Sequence, residues 1–123
     1  MNKLTIIGNL TGEPEIRTTT TGKTVCGFTV AVNRRKKIEG QPEADFFRVS
    51  AWDALGENCG KYLAKGRKVA VVGAVSVRTY DTQNGEHRAS MEVQAQEVEF
   101  LSSRNENIDQ QSGMEKVNVD LPY

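Results

Sequence analysis

Along residues 46–52, Phe-Phe-Arg-Val-Ser-Ala-Trp, successive side chains fall on two different faces if the segment is a strand. Phe47, Val49 and Ala51 make an ordinary core-facing set. Phe46, Arg48, Ser50 and Trp52 make the other, which is an odd set for a surface because two large aromatics flank an arginine and a serine. The same period of two runs through 25–33, where Cys26, Phe28, Val30 and Val32 are apolar and the residues between them small or polar. Over 68–78, Val69, Val71, Val75 and Val77 share one side with Gly73, while Ala70, Val72, Ala74, Ser76 and Arg78 share the other, with Tyr80 just beyond. Over 88–101, Met91, Val93 and Ala95 are odd but Val98 and Phe100 even, so the parity slips near Glu97 and predicts a β-bulge there. Leu4, Ile6 and Ile7 mark a first strand within 1–10, and Ile16, Arg17 and the four threonines of 18–21 favour extended structure before a turn at Gly22 and Lys23.

The pattern changes after Trp52. Asp53 is expected to cap a short helix whose apolar stripe is Leu55, Cys59, Tyr62 and Leu63, with Gly66 as the stop. Gly56 and Gly60 weaken its intrinsic propensity, so the helix depends on packing. Asn84-Gly85 predicts a hairpin with a loop of more than two residues. Beyond Leu101 the chain is too polar to bury a core and reads as a disordered tail, 102–123, that closes on Val117, Val119, Leu121, Pro122 and Tyr123. Five strands with one helix between the third and fourth predict an all-β Greek-key barrel of the oligonucleotide-binding type over 1–101. Strand patterning alone also admits a meander sandwich.

A chain of 123 residues suits one domain and a tail. The formal charge is zero, but 14 Lys and Arg stand against 12 Asp and Glu through Leu101, and 2 against 4 beyond it. A weakly basic body with an acidic tail gives slight support to an anionic partner. Cys26 and Cys59 are the two cysteines, each at an apolar position, and read as core filler with free thiols. With no signal-peptide pattern and no membrane-length apolar run, a cytoplasmic protein is expected.

Several imitations of catalytic motifs fail. Gly22-Lys23-Thr24 ends like a Walker A loop, but Arg17 stands where its first glycine belongs and a strand follows where a helix is required. Residues 56–61 have too few residues between glycines, and Tyr62 replaces the hydroxyl that would bind magnesium. The single histidine, His87, sits in the hairpin without a partner set for metal or for nucleophilic catalysis. Glu13 with Glu15 and Glu97 with Glu99 fit a wet strand face. No cofactor, no metal and no enzymatic activity are expected.

What remains is a binding surface. Aromatic planes beside guanidinium groups suit stacked nucleobases and phosphates, because every base has a π-face and every backbone link a negative charge. Phe46, Arg48 and Trp52 supply this on one strand, and Arg78 and Tyr80 repeat it on another. Arg34, Arg35, Lys36 and Lys37 form a basic loop at the end of the strand pair that displays them, where cations can follow a phosphate backbone. The plainer alternatives are a subunit contact that buries Phe46 and Trp52, and a charge run that is only solvated.

The chain also resembles the bacterial-type single-stranded DNA-binding proteins over 1–101. The resemblance is distributed through Asn2, Ile7-Gly8-Asn9-Leu10, Pro14-Glu15, Arg17, Gly22, Phe28 and the stretch 46–49. It continues through Tyr62-Leu63-Ala64-Lys65-Gly66, Val69, Gly73, Arg78, Tyr80-Asp81 and Asn84-Gly85. It implies an oligonucleotide-binding barrel, a homotetramer, and coating of single-stranded DNA without sequence preference during replication, recombination and repair. It implies stacking roles for Phe46, Trp52 and Tyr80, and for Tyr62, whose helical spacing points instead to the core. Arg48 and Arg78 become backbone contacts, with the basic loop and Lys61 as outer ones. Where the family usually has an aromatic in the loop after the second strand, this chain has only basic residues, which implies a stronger salt dependence. The tip Asp120, Leu121, Pro122 and Tyr123 departs from the family's acidic cluster and terminal phenylalanine, so recruitment of replication or repair proteins is expected to be weaker or differently aimed. A phage, plasmid or accessory copy fits these departures. The alternative is an oligonucleotide-binding barrel that serves as a protein-interaction module, such as a primosome accessory, with Phe46 and Trp52 buried between subunits.

Overall fold

In the computed structural model, which describes residues 1–101, the alternating segments become six strands and one helix. In chain order they are β1 (Leu4–Leu10), β2 (Glu15–Thr18), β3 (Thr24–Asn33), β4 (Ala44–Trp52), α1 (Asp53–Tyr62), β5 (Lys68–Asp81) and β6 (His87–Phe100). The proposed tip, Asp120 to Tyr123, lies outside the described residues. β1 pairs with β5, β5 with β6, β6 with β4, β4 with β3, and β3 returns to β1 through Asn9 opposite Ala31 and Leu10 opposite Val30. This closes a ring of five strands and removes most of the exposed edges that an open sheet would present. The β4–β6 pairing is parallel, with Phe47 opposite Met91 and Ser50 opposite Gln94; the others are antiparallel.

The five strands read from the pattern are the five of the ring, and α1 stands between its third and fourth. β2 is an addition. It pairs with the start of β3 on the edge that β1 uses further along, so the chain leaves β3 at Leu10 and rejoins it at Glu15. The threonine run does not stay extended, because Gly22 N–H donates to Thr19 O at 2.9 Å and turns the chain early.

Period-two alternation places the core where it was expected. Phe28, Val30, Val49, Val69, Val71 and Val93 are fully buried inside the ring, with Cys26 and Cys59. Phe28 is the largest of these, and its truncation to alanine would cost about 3–5 kcal/mol through lost burial and the cavity left behind. Both thiols titrate high because burial penalises the thiolate, and the Cys59 thiol is pushed up to about 12 with Cys26 beside it. They are filler, not reagents. The bulge is also present: Val72 pairs with Glu97 and Gly73 with Ala95, which leaves Gln96 as the extra residue and flips the parity of Val98 and Phe100.

The helix differs from its sequence reading in two ways. Asp53 is not the N-cap: Trp52 holds that position without a side-chain capping bond, and Asp53 takes a left-handed φ of 56°. β4 runs into α1 with no linker, and the sharp reversal falls on a residue type that tolerates that conformation. Tyr62 is not part of the buried stripe, being 52% exposed at the helix end, whereas Cys59 and Leu63 are buried. The weak helix formers are explained by packing. A Cβ on Gly56 would lie 2.3 Å from the Ala51 carbonyl oxygen, and one on Gly60 would lie 2.1 Å from Ile16 Cδ1. Bare backbone lets α1 sit this close to β4 and β2.

Val77 is a further correction. It shares the parity of Val69 and Val71 yet is 59% exposed, because the distal half of the β5–β6 hairpin runs past the end of the core. Its pairing with β6 continues to Asp81 opposite His87, and a five-residue loop containing Gly85 at φ 83° closes the hairpin.

Candidate nucleic-acid interface

The outward side chains of β4 meet those of its neighbours through the register of the sheet. Arg48 lies opposite Thr29 of β3 on one side and Glu92 of β6 on the other, and Arg78 of β5 lies opposite Ser90. Thr29, Phe46, Arg48, Arg78, Tyr80, Ser90 and Glu92 consequently line one shallow concavity of about 350 Å³. Four of the expected contact residues, Phe46 and Arg48 of β4 and Arg78 and Tyr80 of β5, are thus brought together from two strands. A second concavity of about 370 Å³ adjoins at Tyr80, walled by Thr79, Asp81, His87, Arg88 and Ala89 at the hairpin end.

The aromatic members are open to solvent: Phe46 is 58%, Tyr80 43% and Trp52 37% exposed. Hydrophobic rings left uncovered on one sheet face make it a candidate recognition surface. Trp52 stands six residues beyond Phe46 on the same side of β4, about 20 Å along the strand. Its indole N–H donates to Gln94 Oε1 at 2.9 Å, which fixes the ring plane on the sheet. The Arg78 guanidinium carbon lies 5.8 Å from the Tyr80 ring centroid, a cation–π contact that orients both.

The charges are not all positive. Arg78 Nη1 is 3.6 Å from Glu92 Oε2, and Arg48 Nη2 is 3.8 Å from Glu15 Oε1. Each arginine of the face therefore already has a carboxylate neighbour that an incoming phosphate must outcompete. The basic loop is neutralised further. Arg34 makes a forked pair with Asp45, with Nη2 to Oδ1 at 2.8 Å, and Lys37 lies 3.5 Å from Glu43. The hydrogen bond from Arg34 holds the Asp45 carboxyl below its ordinary value and raises Arg34 in turn. Arg35 and Lys36 have no ion-pair partner among the described residues.

Lys61 and Tyr62 do not line the concavity. They sit at the end of α1, where the Lys61 ammonium is 5.7 Å from the Tyr62 ring and that ring packs on Phe100 at 5.9 Å between centroids. Phe100 pairs with Val69, at the opposite end of β5 from Arg78 and Tyr80. His87 is an exposed surface residue with Nδ1 2.5 Å from Asp81 Oδ1. The sequence reading missed Thr29, Ser90, Glu92 and Gln94. Their signal was the same period of two, since Ser90, Glu92 and Gln94 alternate with Met91, Val93 and Ala95 and share the outward parity.

A closed five-strand ring thus carries arginines and open aromatics on one outer face. Residues 1–101 match the model of the single-strand binding protein family. The chain belongs to that family. It is 42% identical to single-stranded DNA-binding protein 3 of Clostridium acetobutylicum, over 99% of this chain and 90% of that protein. It is 43% identical to protein 2 of the same organism, over 89% of this chain and 86% of that one. A single-stranded DNA-binding protein of Staphylococcus aureus is 38% identical over 90% of this chain and 72% of its own length. The loop between β3 and β4 holds no aromatic residue, and acids stand against the arginines of the face. Among the described residues no helix is long and apolar enough to cross a membrane, and no three His, Cys, Asp or Glu side chains are grouped to hold a metal ion.

Proposed function

We propose that this protein binds and coats single-stranded DNA without sequence preference, by stacking bases on Phe46, Trp52 and Tyr80 and holding phosphates with Arg48 and Arg78. The single observation that carries the reading is the clustering of Phe46, Arg48, Arg78 and Tyr80 on one face from two strands. Base–aromatic stacking contributes about 1–3 kcal/mol per base and tolerates any sequence, and phosphate contacts add a salt-dependent term. Arg35 and Lys36 act as outer contacts, while Arg34 and Lys37 reach DNA only by leaving Asp45 and Glu43. Lys61 and Tyr62, with Phe100, form a separate station for a strand that continues around the barrel. The protein works without cofactor or catalytic step, in the cytoplasm on exposed nucleoid DNA, as a homotetramer serving replication, recombination and repair. Residues 1–101 form the binding domain, and the tip from Asp120 to Tyr123 recruits partner proteins.

The test is a competition. A labelled oligothymidylate bound to the protein should be displaced by unlabelled single strands of any composition and not by duplex of equal length, and magnesium should leave the label uncleaved. Displacement by duplex as readily as by single strands would overturn the proposal and leave a general polyanion surface. Absence of any binding, with Phe46 and Trp52 protected from solvent in the oligomer, would assign those rings to a subunit contact.

A further inference from the structure

Gly27 is a residue to which the site described so far gives no role. It lies on the outward side of β3, opposite Ser50 on β4 and Glu15 on β2. A Cβ built there would stand 2.7 Å from Arg48 Nη2, 3.3 Å from Cζ and 3.8 Å from Nε. Three guanidinium atoms within 4 Å of one point mean that the group lies across the bare backbone of Gly27. Its other contacts fix its direction. Nη1 donates to Thr29 Oγ1 at 3.3 Å, and Nη2 points toward Glu15 Oε1 at 3.8 Å. Arg48 thus reaches diagonally over β3 instead of standing into solvent, on the side of β4 that carries Phe46 and Trp52.

We propose that Gly27, with Thr29, is a positioning element of the DNA site: a seat that holds the Arg48 guanidinium flat on the sheet, ready for a phosphate between two stacked bases. This rests on the proposed binding of single-stranded DNA and adds to it a residue that touches no nucleotide. An arginine presents five N–H donors, and the seat engages only part of them, so the remainder face outward in a fixed plane. A side chain already ordered by its neighbours loses less rotamer freedom when the ligand arrives. Any side chain at position 27 would lift the guanidinium away. The lifted atoms are the far end of a flexible side chain, so the fold itself accommodates the change.

The experiment measures binding of the full chain to oligothymidylate by fluorescence anisotropy over a salt series, for Gly27→Ala, Arg48→Ala and the double variant. Gly27→Ala should weaken binding about two- to tenfold, the span of one net hydrogen-bonding contribution. It should also lower the log–log salt slope by about 0.7, the loss of one phosphate contact on a single strand. In the Arg48→Ala background it should change neither quantity. Thr29→Val, which keeps the strand and removes the acceptor, should give a smaller loss that also vanishes without Arg48, and it carries the test if Gly27→Ala does not fold. Equal losses with and without Arg48 would overturn the seat, since Gly27 would then act through the backbone. An effect of Arg48→Ala with none from Gly27→Ala or Thr29→Val would overturn the seat and leave the binding site intact. No effect from Arg48→Ala would remove Arg48 from the site and the seat with it.

Discussion

On the outer face of β4, Arg48 rests against β3 on the side that carries two exposed aromatics, whereas the loop 34–43 carries four cations and no aromatic ring. The sequence makes the loop the more basic of the two. In the structure Asp45 and Glu43 engage Arg34 and Lys37, while Phe46, Trp52 and Tyr80 stay open to solvent. A count of charges overstates a loop whose acids stand a few residues away. The rings of Phe46 and Trp52 have no such internal competitor, so stacking on the face should dominate affinity and the loop should tune its salt dependence.

The largest expected effect comes from the rings. Trp52→Ala should cost about 1–3 kcal/mol of binding to a short single strand, and Phe46→Ala a similar amount. Any single alanine at Arg34, Arg35, Lys36 or Lys37 should cost less, as read by anisotropy at one fixed salt concentration. Equal losses across these variants would erase the contrast between face and loop. Next comes Arg78, which sits between Glu92 and the Tyr80 ring. Arg78→Ala should lower the salt slope by about 0.7, and Glu92→Gln should tighten binding by removing the carboxylate that competes with phosphate. A weaker Glu92→Gln variant would mean that the acid orients Arg78 more than it opposes DNA.

Smaller differences are expected within the loop. Arg35→Ala and Lys36→Ala should reduce the salt slope, whereas Arg34→Ala should leave it nearly unchanged because Asp45 already occupies that guanidinium. Asp45→Asn should release Arg34 and steepen the slope, and a flat response would show that the freed arginine does not reach the strand. The smallest effect on either region should come from the core thiols. Cys59 has its folded value raised from 9.0 to about 12, so its contribution to stability is complete below 9.0 and is lost as pH rises toward about 12. Melting temperature should therefore fall over that alkaline window, and Cys59→Ser should alter the profile. Alkylation of Cys26 and Cys59 at neutral pH should proceed only on unfolding.

Strand faces were legible because a period of two records burial directly. It located the inward set of β4, the core of β3 and even the bulge, since an unpaired Gln96 has to appear as a slip of parity. The same rule failed at Val77, where the parity is correct but the hairpin has run beyond the core, a matter of length that no local pattern encodes. Tyr62 sat at helical spacing with Cys59, yet the packed face of α1 is centred on Gly56, Cys59, Gly60 and Leu63, and Tyr62 falls on its flank with the ring outside. The four residues that the candidate site brings together were legible as oddities on surfaces, an aromatic with an arginine on the wet parity. The acids opposite them were not. Glu15 and Glu92 come from distant parts of the chain, and only the register of the sheet sets them beside Arg48 and Arg78.

Trp52 is the single tryptophan, so its fluorescence reports one position on the binding face. Titrating the full chain with single-stranded and then duplex oligonucleotides, at several salt concentrations, asks whether a base lies on that ring. Stacking predicts strong quenching by single strands alone, with the affinity falling by a log–log slope of about 0.7 per phosphate contact. Emission unchanged by saturating single-stranded DNA would contradict it, and would give the exposed face of β4 to a protein partner instead.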